Sequence, residues 1–237
     1  MFPVACIPKS KAPAVFNPLL ITSLNAWWSI DSLVAVGDGN PISSWADKKA
    51  ALAVVSTLTA RPTYVANAGD GKPAVNYDGV NDYLGLSAGN TITNATWWGS
   101  GSYEIWALVC GRSVGAGTKG LFTSGGITQN RAILAQTNPR VLFDDNGYAF
   151  SGSLNLQNDV WHVLRVSQSG SSVSFYLDGS LVNTVTRTPR VPSGTDIIYV
   201  GDMTNFWNGY MRHVLTFNAV LSSTDAASLT GLLNTYK

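Results

Sequence analysis

The chain has 237 residues, a formal net charge of +1 and only 12% charged side chains. That balance excludes electrostatic steering towards nucleic acid or an anionic membrane, and it leaves a neutral surface rich in hydroxyl and amide groups. The length suffices for a core that buries roughly 70% of the unfolded surface without a disulfide framework or a structural metal. The two cysteines, Cys6 and Cys110, are too few for such a framework. Cys110 closes the apolar run Ile105–Val109 and reads as a buried free thiol.

In chain order, residues 1–20 form the first unit. Pro3, Pro8, Pro13 and Pro18 recur every five residues, with Lys9 and Lys11 between them. Proline fixes φ and removes a backbone donor, so this stretch is expected to be an extended arm. Its docking residues on a neighbouring subunit would be Phe2, Pro3, Pro8, Lys9, Lys11 and Phe16. The arm has no basic region followed by an apolar stretch. The expectation is a protein made in a cytoplasm and not exported by the common route.

From residue 21 to 237 short alternating segments predict one β-sandwich domain. Ala74–Tyr77 and Tyr83–Leu86 flank the turn cluster Asp78-Gly79-Val80-Asn81-Asp82. Tyr103–Val109, Ala132–Ala135 and Val141–Phe143 follow. Asp178-Gly179, set between Val173–Leu177 and Ser180–Val182, predicts a hairpin with a type I′ turn, because both central positions favour positive φ. Val173, Phe175 and Leu177 then face the core. Ile197–Val200 and Met211–Phe217 are the last strands. Leu229, Leu232, Leu233 and Tyr236 share one helical face behind the hydroxyl-rich start Leu221-Ser222-Ser223-Thr224-Asp225, predicting a short amphipathic C-terminal helix. The fold class expected is all-β: an antiparallel jelly-roll sandwich with that helix and the arm.

The ordered series Trp27-Trp28-Ser29-Ile30-Asp31, Ile42–Lys48, Arg61-Pro62-Thr63-Tyr64, Lys72–Leu84, Trp161-His162-Val163, Phe175–Gly179, Tyr199-Val200-Gly201 and Trp207-Asn208-Gly209-Tyr210 resembles laminin-G-like modules of the concanavalin A-like lectin/glucanase superfamily. With Phe16-Asn17-Pro18-Leu19 at its head, it looks most like the version found in tailed-phage virion proteins. The resemblance implies a structural virion protein, either a head decoration or a fibre component. Its partners would be other virion proteins and further copies of itself, with a host glycan as the alternative ligand. Neither nucleic acid nor membrane is an expected partner.

Glycoside hydrolysis needs two carboxyl groups flanking the scissile bond. The family's glucanases carry a Glu-x-Asp-x-x-Glu strand, whereas Glu104 is the sole glutamate of this chain. No enzymatic activity is expected, and Glu104 is read as starting a strand at an edge or pairing with an Arg. His162 and His213 lack convergent partners and read as structural. No cofactor is expected, although the resemblance leaves Ca²⁺ open at Asp144, Asp145 and Asn146, or at Asp78, Asn81 and Asp82. Both clusters equally suit tight turns. For sugar stacking, Trp97 and Trp98 stand in a loop-like setting and would share a glycan site with Asp144 and Asp145. The competing reading makes them plugs at the end of the sandwich.

Overall fold

A computed structural model describes residues 16–49, 52–56, 59–86, 91–98, 101–113, 118–125, 131–136, 140–145, 148–188, 194–201 and 205–237, with Asn94, Ala95, Arg131, Asp144, Asp145 and Tyr148 described in backbone only. Phe2, Pro3, Cys6, Pro8, Lys9 and Lys11 of the expected arm lie outside the described residues.

The strands in chain order are β1 (Leu24–Ser29), β2 (Ser44–Ala46), β3 (Ala53–Val55), β4 (Thr63–Val65), β5 (Ala74–Asp78), β6 (Leu84–Leu86), β7 (Ile92–Thr93), β8 (Ser102–Gly111) and β9 (Lys119–Ser124). There follow β10 (Arg131–Gln136), β11 (Arg140–Asp145), β12 (Tyr148–Phe150), β13 (Trp161–Ser169), β14 (Ser172–Leu177), β15 (Ser180–Thr186), β16 (Thr195–Asp196), β17 (Ile198–Val200) and β18 (Asn208–Phe217). A single helical turn, α1 (Asn94–Trp97), precedes β8, and α2 (Ser223–Asn234) closes the chain. No helix among the described residues is long and apolar enough to cross a membrane.

The strands form two large antiparallel sheets. The first runs β15-β14-β13-β8-β18-β5-β4, with β1 also paired to β18. The second runs β12-β11-β10-β9-β17-β6-β3-β2, and β16 and β7 make a small separate ribbon. Alternation places Ile105, Val109, Val166, Val173, Phe175 and Val214 of the first sheet in the main core. They share it with Val54, Leu84, Phe122, Ile133, Phe143 and Val200 of the second. This is the jelly-roll sandwich expected from the alternating segments.

A second, smaller core lies on the outer face of the first sheet. There Trp106, Leu108, Val163, Leu215 and Phe217 meet Leu221, Ala226, Leu229 and Leu233 at α2. Strand β8 is therefore buried on both faces, from Tyr103 to Gly111. The predicted cap of α2 is present: the Asp225 N–H donates to Ser222 Oγ at 3.1 Å. The predicted hairpin turn is present as well, with φ of 52° at Asp178 and 87° at Gly179.

Two expectations about the N-terminal and β8 regions are corrected. The end of the expected arm is not extended: Pro18–Leu20 forms a 3-10 turn capped by Asn17, whose Oδ1 accepts from Leu19 N at 3.1 Å. Proline at the first helical position favours such a turn. Phe16 packs against the α2 core of its own chain rather than projecting away. Of the two readings of Glu104, the pairing with an Arg holds and the edge position does not. The residue lies on the central strand β8 with no exposed surface, and Arg165 Nη2, Trp106 Nε1 (2.7 Å), Ser167 Oγ (3.1 Å) and Leu221 N (3.2 Å) all donate to its carboxylate.

Candidate functional site

The indoles expected to stack on sugar do not face solvent. Trp97 is 8% exposed and Trp98 is fully buried. Trp98 packs on Tyr103 at 4.9 Å between ring centroids and edge-on against Phe122 at 6.2 Å. Large apolar rings next to an open end of a sandwich gain more by filling it than by standing in water. Neither ring offers a face to a ligand. Asp144 and Asp145 end β11, while their side chains and Asn146 lie outside the described residues.

The other acidic cluster is built as a turn. Asp78 Oδ1 accepts from Val80 N at 2.7 Å and from Asn81 N at 3.2 Å, and Asp82 Oδ2 accepts from Asp78 N at 2.8 Å. Asn81 Nδ2 donates to Thr59 O. Among the described residues no group of three or more His, Cys, Asp or Glu side chains could hold a metal ion. Burial, with the Asp78 charge adding to it, pushes the Asp82 carboxyl up to about 6. The folded form therefore binds this proton more tightly than the unfolded chain. The associated stability is present below about pH 4 and is lost as pH rises through about 6. Asp82→Asn is expected to stabilise the protein at pH 7.5 by about 2 kcal/mol and to have little effect at pH 4, as read from urea unfolding at both values.

Both histidines are held by hydrogen bonds to neighbouring side chains. Trp27 Nε1 donates to His213 Nδ1 at 3.3 Å, and burial holds the fully enclosed His213 ring down to about 3, hence neutral. His162 Nδ1 pairs with Asp178 Oδ2 at 2.8 Å beneath the hairpin. Cys110 is buried and free. A cleft of 740 Å³ lies between α2 and the first sheet, bordered by Trp106, Arg165, Tyr176, Asp178 and Thr230. Two carboxylates beside it are already engaged: Glu104 beneath Arg165, and Asp178 with His162 and Lys237.

An aromatic surface does form on the outer face of the second sheet, from Tyr83, Tyr199 and Phe206. In β6 the inward Leu84 and Leu86 leave Tyr83 and Gly85 on the outer side. In β17 the inward Ile198 and Val200 leave Tyr199 outward. Tyr199 and Gly85 are direct cross-strand partners. A Cβ built on Gly85 would lie 2.8 Å from both Cδ1 and Cε1 of Tyr199, so the phenol lies across bare backbone. Tyr83 meets Tyr199 edge-on at 6.0 Å and stacks with Phe206 at 6.5 Å. All three rings are partly exposed. Rings that lie on a sheet present one face to water, the geometry that CH-rich faces of sugars engage. Asn81 and Asn205 stand in the adjoining loops, and burial with the neighbouring Tyr83 raises the Tyr199 phenol above its usual range.

A family model for the concanavalin A-like lectin/glucanases superfamily, of the laminin-G type, matches residues 78–227. No curated protein sequence matches significantly. Among solved structures, domain 4 of AbnA, a GH43 extracellular arabinanase from Geobacillus stearothermophilus, in complex with arabinotriose, superposes with a TM-score of 0.57 at 17% identity, covering 88% of this chain and 98% of that one. Trypanosoma rangeli sialidase gives a TM-score of 0.57 at 16% identity over 90% of this chain and 33% of the sialidase. The botulinum neurotoxin serotype G binding domain gives 0.51 at 13% identity over 81% and 51%. The chain thus spans about a third of the length of the sialidase it matches, and at these identities the likeness is one of fold, which glycosidases and binding domains share. By the family match and by its two-sheet jelly roll, the chain belongs to the concanavalin A-like lectin/glucanases superfamily.

Proposed function

We propose that the chain is a non-enzymatic, lectin-like module of a tailed-phage virion that holds neutral glycan on its second sheet. The observation that carries the binding reading is the Tyr83–Tyr199–Phe206 surface laid over Gly85. The non-enzymatic reading is supported by the sole glutamate, sealed in the interior by four donors. The virion context rests on the sequence resemblance. In that setting residues 16–237 form the module, since Phe16 packs on the chain's own core, and residues 1–15 dock on neighbouring subunits of a head decoration or fibre. Deleting residues 1–15 should then abolish incorporation into particles while leaving the isolated module's unfolding midpoint unchanged.

The binding reading is tested by titrating neutral oligosaccharides, arabinotriose among them, and by a glycan array read with and without chelator. Tyr199→Ala should weaken binding by about two- to tenfold, since an aromatic stacking contact is worth about 0.5–1.5 kcal/mol beyond its buried area. Gly85→Ala should do much the same with the phenol intact, because the new methyl lies where the ring rests. An unaltered affinity in both variants, or no neutral glycan bound by the wild type, would sink the reading. Oligosaccharide turnover that disappears in Glu104→Gln would overturn the non-enzymatic half.

A further inference from the structure

The outer face of the first sheet carries a second surface beyond the end of α2. One cross-strand row runs Thr63, Asn76, Tyr210, Cys110, Trp161 across β4, β5, β18, β8 and β13. Tyr210 and Trp161 lean together over Cys110, with centroids 6.3 Å apart and planes 29° apart. Arg212 lies 3.8 Å from the Trp161 centroid and is itself fully buried, whereas Trp161 is partly exposed. The cation therefore lies beneath the indole, and the opposite face of the ring points to solvent.

Arg112, directly after β8, lies over one face of the Tyr210 ring, 4.7 Å from its centroid, which leaves Trp161 as the main open ring face of the pair. Its Nη1 donates to Tyr77 O at 3.0 Å and to Asn208 Oδ1 at 3.1 Å, and its Nη2 donates to Asn76 Oδ1. All three acceptors are neutral. A guanidinium has five N–H donors in a rigid plane. Two are left over, one on Nε and one on Nη2, the two nitrogens whose shared edge can grip a carboxylate with two parallel bonds. Nearby Asp159 is engaged elsewhere, accepting from Ser113 N at 3.3 Å and from Ser113 Oγ. The row thus offers a cation held by neutral oxygens next to two stacked, half-exposed rings.

The geometry points to a second carbohydrate site here, selective for a sugar that bears a carboxylate, such as a uronic acid residue. The ring pair takes the apolar face of the pyranose, and the free edge of Arg112 takes the carboxylate. The Asn76–Thr63 pair, joined by a hydrogen bond of 3.1 Å, receives the flanking hydroxyls. This surface lies on the sheet opposite the Tyr199 surface and does not depend on it.

The test titrates the protein with methyl glucuronide, methyl glucoside and sodium acetate at low salt, following the Arg112 Nε–H resonance and the binding isotherm. The glucuronide should bind at least about tenfold more tightly than the glucoside, the scale of a charged hydrogen-bond pair, and shift the Nε–H signal. Arg112→Gln should erase that preference, Tyr210→Leu should weaken both sugars with an unchanged unfolding midpoint, and Tyr199→Ala should leave the glucuronide isotherm as it was. Equal affinity for the two sugars, or a preference that survives Arg112→Gln, overturns the proposal. So does acetate binding as tightly as the glucuronide, which would mean an anion contact alone. Loss of glucuronide binding in Tyr199→Ala would assign the ligand to the other sheet.

Discussion

Glu104→Ala is expected to lower stability by about 3–5 kcal/mol, the range seen when one member of a buried charged pair is removed. The carboxylate has no exposed surface and accepts from Trp106, Arg165, Ser167 and Leu221. Its loss leaves Arg165, with a side chain only 12% exposed, charged against Trp106 and Tyr176 with no carboxylate beside it. It also frees the Leu221 amide, the point at which the chain turns from β18 into α2, so the helix should loosen from the sheet. At the size of this chain the unfolding midpoint should fall by about 6–20 °C. Replacing both Glu104 and Arg165 by Leu should restore most of the loss, because the cost lies in the orphaned charge and not in the missing attraction. A double variant as unstable as Glu104→Ala would show instead that the bond to Leu221 carries the effect. Thermal unfolding of the two variants beside the wild type settles the partition.

The case of Glu104 also shows where the sequence stops informing. The sandwich was legible because its rules are local. Val173 and Phe175 alternate with polar neighbours, and Asp178-Gly179 supplies two positive φ values, so register and turn follow from a dozen residues. The helix was legible for the same reason, with Leu229 and Leu233 both fully buried. But Ser102–Cys110 could be read only as an apolar run with an acid near its start. That it is the central strand, covered on its outer face by α2, depends on pairings with residues 161–169 and 209–217. Alternation cannot announce a second cover, so an edge position stood beside an Arg partner as readings of the acid, and only the latter holds.

The ligand surfaces failed for a related reason. Thr96-Trp97-Trp98-Gly99 has the composition of a loop, and only the tertiary structure turns both indoles inward. The parity of Leu84-Gly85-Leu86 and Ile198-Tyr199-Val200 does place Gly85 and Tyr199 outward. What it does not contain is the register that sets one on the other, a pairing between distant segments. Trp161 and Tyr210 were visible only as elements of a family pattern. Their meeting over Cys110 requires three strands to be aligned.

Arg212→Met should be comparably severe, costing about 3–5 kcal/mol, and should act at a distance from β18. This guanidinium is fully buried and serves as a clamp. Nε donates to Pro73 O at 2.8 Å, Nη1 to Asp70 Oδ2 at 2.8 Å and to Tyr236 O, and Nη2 to Asp70 Oδ1 at 2.6 Å and to Lys72 O at 3.1 Å. The bidentate pair with Asp70 holds that carboxyl below its usual range, chiefly through the hydrogen bonds from Arg212. One side chain thereby ties the loop before β5, the end of α2 and the underside of Trp161 to the first sheet. Methionine fills the volume but donates nothing, which strands three backbone carbonyls in the interior. Lysine should fare little better, since a single ammonium cannot reach acceptors on three sides of a planar fork. Amide exchange should then accelerate at residues 70–72 and 234–237 ahead of the rest of the chain. Because a carboxyl with a depressed folded value gives up its stabilisation as it protonates, the wild type should lose part of the clamp as pH falls below about 4, and Arg212→Met should lack that dependence. Exchange that rises uniformly over both sheets would mean that Arg212 supports the sandwich as a whole and does not pin the two segments it touches.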